Sequence, residues 1–266
     1  MTKEGTPRKS RIQQTFEKLG AEKRKGFIPY VCAGDPDLST TVKLSIALGE
    51  AGADLLELGI PFSDPLADGV VNQLAAQRAL RAGATVRGVL ECVGQIRRQS
   101  DIPIVLYTYL NPIVQFGFER FHQEAAAAGV DGLLILDLPP EEETQSSSFG
   151  LAHIRLIAPT TSPERIATIS RGAEGFLYYV SREGVTGVRD SVASSLEAQI
   201  EQIRKHSKLP IAVGFGISTP EQAKAVARHA DAVVVGSAIV DLIARDGRES
   251  IEKVGQFARA MVRAIN

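Results

Sequence analysis

No sign of charge dominates this chain: 30 Lys and Arg stand against 31 Asp and Glu in 266 residues. A balance of that kind supplies no net field to gather nucleic acid or an anionic membrane surface. Cysteine is scarce. The only two, Cys32 and Cys92, lie in apolar segments, so buried free thiols are expected rather than a disulfide framework, which suits a reducing compartment and a cytoplasmic location. No apolar run reaches the roughly 18 residues a membrane span requires. The stretch from Met1 to Arg11 is polar and basic, with Pro7, and lacks the apolar centre of a signal peptide. Residues 1–9 are expected to form a flexible tail. Tryptophan is absent and aromatic content is only 6%. No Walker loop and no Ser/His/Asp order appears. The four histidines show no pair with metal spacing. His122, His206 and His229 are expected in or near helix ends, and His153 at the start of a strand. No metal site is expected.

What is present is a regular alternation. Short apolar runs occur at Phe27–Cys32, Asp54–Gly59, Ile102–Tyr109, Gly132–Leu136, His153–Ala158, Phe176–Val180, Leu209–Gly214 and Ala232–Val235. Between them lie stretches with helical spacing: Ser39–Ala51, Val70–Arg81, Thr85–Arg98, Asn111–Ala128, Ser162–Ser170, Ser194–His206 and Thr219–Ala230. A short helix is expected to open at Pro139–Pro140. Ile239–Ala264 reads as helical with a break near Asp246–Gly247. Ile12, Phe16 and Leu19 place one further helix before the first strand. Several runs, such as Val233–Val235, are apolar without alternation, as parallel strands buried on both faces are. Eight such units in this length favour a closed (β/α)8 TIM barrel over an open sheet, because that barrel typically takes about 250 residues as one domain. With no linker or compositional break, residues 1–266 read as a single domain.

Active sites of such barrels lie at the carboxyl ends of the strands. Glu57 is placed there, with Leu55 and Gly59 on its parity and Leu56 and Leu58 on the other. The loop that follows, Ile60-Pro61-Phe62-Ser63-Asp64-Pro65-Leu66-Ala67-Asp68-Gly69, is stiffened by two prolines and carries Asp68 back over the strand end. Two carboxylates so placed can divide acid and base work when their environments separate their pKa values. Tyr178 sits at another strand end. Taken singly, Glu57 also fits a structural ion pair, Asp68-Gly69 a plain turn and Tyr178 a core residue; the stiff link between Glu57 and Asp68 favours the functional reading. Glycines follow three late strands in Gly184-Val-Thr-Gly187, Gly214-Phe-Gly216 and Gly236-Ser237, the last also opening a helix. Backbone N–H groups at such turns and at a helix N-terminus can hold a phosphate. Thr186–Ser191 reads as a lid or as a merely disordered loop.

The stretch Leu56–Gly69 strongly resembles the alpha subunit family of tryptophan synthase. Further matches are Pro29-Tyr30 with Ala33-Gly34-Asp35-Pro36, Tyr107-Thr-Tyr-Leu-Asn111-Pro112, Asp137-Leu-Pro-Pro-Glu141-Glu142, Ala158-Pro-Thr-Thr161, Tyr178-Tyr-Val-Ser181 and the three glycine segments, in family order over residues 10–266. The resemblance implies a TIM barrel with an extra N-terminal helix and a short phosphate-site helix after the eighth strand. It implies a lyase that cleaves indole-3-glycerol phosphate to indole and glyceraldehyde 3-phosphate. It makes Glu57 the acid and base, Asp68 the stabiliser of charge at the indole N–H, and Tyr178 a neighbour of the reacting carbon. Tyr30 and Val105 would cradle the indole, with Tyr107 and Phe215 also touching substrate. Gly187, Gly216, Gly236 and Ser237 would hold the phosphate, and Thr186 would belong to a closing loop that helps position Asp68. No cofactor is implied on this chain. Pyridoxal phosphate is implied on a beta subunit, in an alpha2beta2 complex, with partner contact near Asp64 and the lid. Three departures from the family pattern are Leu136 before Asp137, Val70 after Asp-Gly, and a short, Ser-rich Glu143–Ala152. A free-standing indole-releasing lyase, another phosphate-handling barrel such as an isomerase, and a non-catalytic barrel that activates a partner are the competing readings. The intact Glu57 and Asp68 argue against the last.

Overall fold

A computed structural model describes residues 10–142, 149–180, 190–214 and 216–266. The expected tail over 1–9, most of the loop Gly184–Ser191, and Thr186, Gly187 and Phe215 lie outside the described residues.

The chain opens with helix α1 (Arg11–Glu22), capped by the Ser10 side chain, and enters strand β1 (Gly26–Cys32). There follow α2 (Leu38–Glu50), β2 (Leu56–Gly59), α3 (Val70–Arg81), α4 (Val86–Arg97) and β3 (Ile104–Thr108). Next come α5 (Leu110–Phe116), α6 (Phe118–Ala128), β4 (Gly132–Ile135), β5 (Ala152–His153), β6 (Arg155–Ile157) and α7 (Pro163–Arg171). The last part holds β7 (Leu177–Val180), α8 (Asp190–His206), β8 (Ile211–Gly214), α9 (Pro220–Ala227) and β9 (Ala232–Val235). α10 (Ser237–Asp246), a 3-10 turn (Gly247–Glu249) and α11 (Ser250–Ile265) complete it.

All strand pairs are parallel, in the order β5-β4-β3-β2-β1-β9-β8-β7-β6. The two edge strands are halves of one run interrupted at Ile154: β5 pairs with β4, and β6 with β7. The ring therefore closes as the eight-unit barrel the alternation predicts, its fifth run divided between its two neighbours.

Four local expectations change. The helix expected over Asn111–Ala128 is two helices, because Gly117 takes φ 98°, a left-handed value that breaks the ladder. Residues 140–142 form a turn instead of a helix start. α8 begins at Asp190, four residues before Ser194. His122 lies in the middle of α6, fully buried, with its ring 6.3 Å from that of His153. The break near Asp246–Gly247 is present, marked by Gly247 at φ 55°.

Strand parity sorts the side chains into two cores. Leu56, Leu58, Ile104, Leu106, Tyr179, Val213 and Val233 face outward against the helices. Ile28, Leu55, Val105, Leu134, Phe176, Tyr178, Ala212 and Val234 fill the barrel. α1 closes the floor of that inner core with Ile12, wholly buried, and Phe16, whose ring centroid lies 5.6 Å from that of Phe176.

The floor also carries a fourfold device. Asp54 donates its N–H to the Phe27 carbonyl and accepts the Phe27 N–H on its carboxylate, both near 3 Å. Asp131 does the same with Ile104, Asp231 with Ile211, and Glu174 with His153 at a longer 3.4 Å for the side-chain bond. Each acid stands just before an even-numbered run of the barrel and pins the start of the run preceding it. The four segments read Ala51-Gly52-Ala53-Asp54, Ala128-Gly129-Val130-Asp131, Arg171-Gly172-Ala173-Glu174 and Arg228-His229-Ala230-Asp231.

Candidate active site

At the other end of the barrel, β2 turns Glu57 inward because Leu56 and Leu58 are spent on the helix layer. In register, Glu57 lies between Tyr30 on β1 and Val105 on β3. Its side chain is only 2% exposed. Among the described residues no hydrogen-bond donor meets its carboxyl. Burial therefore pushes its pKa up from 4.5 to about 8, with the charge of Asp68 adding to the shift. With that shift Glu57 keeps its proton at neutral pH.

Asp68 reaches the same space from the loop after β2. The loop is folded back by its own Asp68 N–H to the Pro65 carbonyl (3.1 Å) and by the Ala67 N–H to the Tyr109 hydroxyl (3.0 Å). The Tyr107 hydroxyl donates to Asp68 Oδ1 at 2.9 Å and the Tyr109 hydroxyl to Oδ2 at 2.8 Å. Asn72 adds a long contact of 3.5 Å to Oδ1, and Gln73 Nε2 holds the Asp68 carbonyl at 2.9 Å. Burial raises the Asp68 pKa while Tyr109, Tyr107 and Asn72 work against it by favouring the charged form. The two carboxyl groups thus differ in a way chemistry can use. One is bare and buried, the other is held by donors.

Two tyrosines complete the walls. Tyr178, 9% exposed, lies against Gly214; a Cβ there would stand 2.9 Å from its Cζ. Tyr30 lies in the same way against Gly59, where a Cβ would stand 2.8 Å from its Cζ. Only glycine leaves room for these rings. Tyr30 also meets Tyr107 edge-on, with ring centroids 5.1 Å apart. Burial pushes the Tyr30, Tyr107 and Tyr178 phenols well above the usual range, so they remain hydroxyls.

The glycine end is β8 and β9, of which β9 pairs with β1. Gly236 caps α10 and Ser237 opens it. The Ile239 and Val240 N–H groups bond the Gly236 carbonyl, at 2.9 and 3.1 Å, and the N–H groups of the two residues before them have no helical partner by position. No acid stands in the first turn of α10, so nothing of its own competes for that positive end. Gly216 takes φ 71°, a left-handed value suited to glycine.

The structure brings Glu57, Asp68, Tyr178, Tyr30, Val105 and Tyr107 to one end of the barrel, with Gly236 and Ser237 on the adjoining strand end. Tyr109, Asn72 and Gln73 were not expected. Tyr109 shares parity with Tyr107, which is the signal that could have found it. No cluster of three or more His, Cys, Asp or Glu that could hold a metal ion occurs among the described residues.

Comparison with known proteins gives a consistent result. The family model described as "Tryptophan synthase alpha chain" matches residues 16–266. The tryptophan synthase alpha chain of Citrifermentans bemidjiense is 49% identical over 261 residues, covering 96% of this chain and 98% of its own. That of Caulobacter vibrioides is 50% identical over 265 residues, covering 97% and 96%. Among solved structures, tryptophan synthase subunit alpha from Legionella pneumophila superposes with a TM-score of 0.90 at 43% identity, covering 97% of this chain and 99% of that one.

Proposed function

The chain belongs to the tryptophan synthase alpha chain family, and from that membership we propose that Glu57 and Asp68 are the pair that performs the family's reaction in it. The enzyme is a lyase of tryptophan biosynthesis, and the reaction is the retro-aldol cleavage of indole-3-glycerol phosphate. The observation that carries the assignment is the unlike state of two carboxyl groups at one barrel mouth.

Glu57, protonated at rest, gives its proton to indole C3, and the ring becomes a cationic indolenine. Asp68, its carboxyl group fixed by two phenol donors that favour the charged form, accepts the indole N–H and offsets the positive charge. The Glu57 carboxylate so formed takes the proton of the side-chain hydroxyl next to C3. A carbonyl forms there, the bond to C3 breaks, and its electron pair restores neutral indole. Glu57 ends protonated, ready for another turn. Tyr178, beside Glu57, lines the reacting carbon. Tyr30 and Val105 flank the indole, with Tyr107 and Phe215 near it. Gly216, Gly236 and Ser237 take the phosphate at the positive end of α10, together with Gly187. The family resemblance gives Thr186 the role of helping to position Asp68. Every proton step is made by these carboxyl groups, so no cofactor is assigned to this chain.

The partner is a tryptophan synthase beta subunit, which carries pyridoxal phosphate and receives indole directly, in an alpha2beta2 assembly. Support comes from the surface around the mouth. Leu66 is 93% exposed, Val70 68% and Val114 54%, and an apolar hollow lined by Pro61, Phe62, Pro112 and Phe116 lies beside them. Apolar exposure of this kind marks interaction surfaces. The buried free thiols of Cys32 and Cys92 fit the cytoplasm, and no helix among the described residues is long and apolar enough to cross a membrane.

The test is indole release from indole-3-glycerol phosphate by the purified chain, alone and with a beta subunit, with Glu57→Gln alongside. Slow release alone, a large rise with the partner and loss in the variant are expected. Fast release alone would favour a free-standing lyase. No release in either setting from folded protein would overturn the substrate assignment.

A further inference from the structure

Tyr107 occupies β3 one inward position nearer the mouth than Val105, with Gly59 and Leu134 as its register partners. The family resemblance makes it a substrate contact. Its atoms are used otherwise. The hydroxyl is given to Asp68 Oδ1 at 2.9 Å, and the ring stands at 69° to Tyr30 with centroids 5.1 Å apart. Tyr109 holds the opposite oxygen, Oδ2, at 2.8 Å. A carboxylate gripped by one phenol on each oxygen cannot rotate about its terminal bond without losing a charge-assisted hydrogen bond. The carboxylate has about four acceptor positions, and the two phenols with the long Asn72 contact leave room for a further donor.

We propose that Tyr107 is a positioning residue for Asp68. Its hydroxyl fixes the plane of the carboxylate before substrate arrives, and its edge contact with Tyr30 ties that plane to the wall of the pocket. The catalytic consequence rests on the role given to Asp68 above; the positioning itself does not.

The groups that face Asp68 are few. Glu57 comes from β2, Tyr30 and Cys32 from β1, Tyr107 from β3, Tyr109 from the N-cap of α5, and Tyr178 from β7. The amides of Asn72 and Gln73 come from α3. No Lys or Arg among the described residues offsets the Asp68 charge. The phenol donors are therefore the main groups that favour the charged form of Asp68 against burial, and losing one must move its titration upward.

The experiment is a carbon-13 carboxyl NMR titration of the full, ligand-free chain as wild type and Tyr107→Phe, with Asp68→Asn to assign the signal. Tyr107→Phe is expected to raise the Asp68 midpoint by roughly one pH unit. In turnover it should lower kcat roughly tenfold or more with KM nearly unchanged, and move the acid limb of the kcat/KM profile upward by the same amount as the NMR midpoint. A variant harmful only through packing would lower the folded fraction without shifting that limb. An unchanged Asp68 midpoint in folded Tyr107→Phe overturns the proposal. If that variant does not fold, Tyr107→Met removes the donor at similar length and is read by the same criterion. A shifted midpoint in a chain that does not cleave the substrate would sustain the positioning role while removing the reaction assigned above.

Discussion

At the scale of single residues, the controlling fact is that Glu57 is buried without a donor. Its folded pKa of about 8 lies above the ordinary 4.5, so the folded chain holds a proton that the unfolded chain releases. The linkage has a definite sign. The contribution of this group to stability is complete below about pH 4.5 and is lost as pH rises through about 8. Glu57→Gln cannot ionise. Denaturant unfolding at pH 6 and pH 9 should therefore show the variant gaining on the wild type at the higher pH. The kcat/KM of the wild type should fall through the same region, roughly tenfold per pH unit once Glu57 is ionised. A wild type whose stability relative to the variant is equal at both values would show that Glu57 titrates normally. Glu57, Asp68 and Tyr178 were legible in the sequence because strand parity and a proline-stiff loop are local properties. The grip of Tyr109 on Asp68 was not, since it depends on how far the loop folds back across β3.

At the scale of elements, the floor acids explain how β1, β3, β5 and β8, strands of two to seven residues, keep their register. Asp131 is the most heavily used. Its carboxylate accepts the Ile104 N–H at 2.9 Å, Arg97 at 3.0 Å and Arg11 at 2.8 Å. It therefore joins β3, α4 and the plugging helix α1. Asp131→Ala leaves the buried Ile104 N–H without its acceptor and the largely buried Arg97 guanidinium without its counter-charge, held only by the Ser100, Ile102 and Gly129 carbonyls. It should cost about 3–5 kcal/mol, read as a lower urea midpoint, while kcat per folded molecule stays near the wild type because the floor lies away from the mouth. A loss below about 1 kcal/mol would mean that water replaces these bonds. The alternation of strands and helices made the barrel legible in advance. The interruption at Ile154 was not, because it answers to two different strand partners, and the break at Gly117 turns on a positive φ that a glycine permits but does not require.

At the scale of the whole molecule, the two ends of the barrel do different work. The floor is sealed and polar-pinned, whereas the mouth carries a ridge of exposed apolar side chains around Asp64 and Asp68. Val114 lies on that rim and on no reacting group. If a beta subunit activates the chain as proposed above, Val114→Asp should leave the turnover of the isolated chain as it is and raise the partner concentration needed for half-maximal activation. An unchanged half-point would move the contact surface elsewhere. The net charge of −1 gave no hint of this surface, because an apolar patch adds nothing to a charge sum.

The fourfold pinning of the floor divides the barrel into modules of two runs each. Every acid and the strand start it holds belong to the same module: Asp54 with Phe27, Asp131 with Ile104, Glu174 with His153 and Asp231 with Ile211. A cut in the chain between modules, as at 98–101 or near 207–208, would leave all four clasps within continuous stretches. A cut inside a module would separate an acid from the strand it secures. The barrel is thus a ring of four self-fastened quarters, and its seams are where new termini, or a history of duplication, would fit with least disturbance.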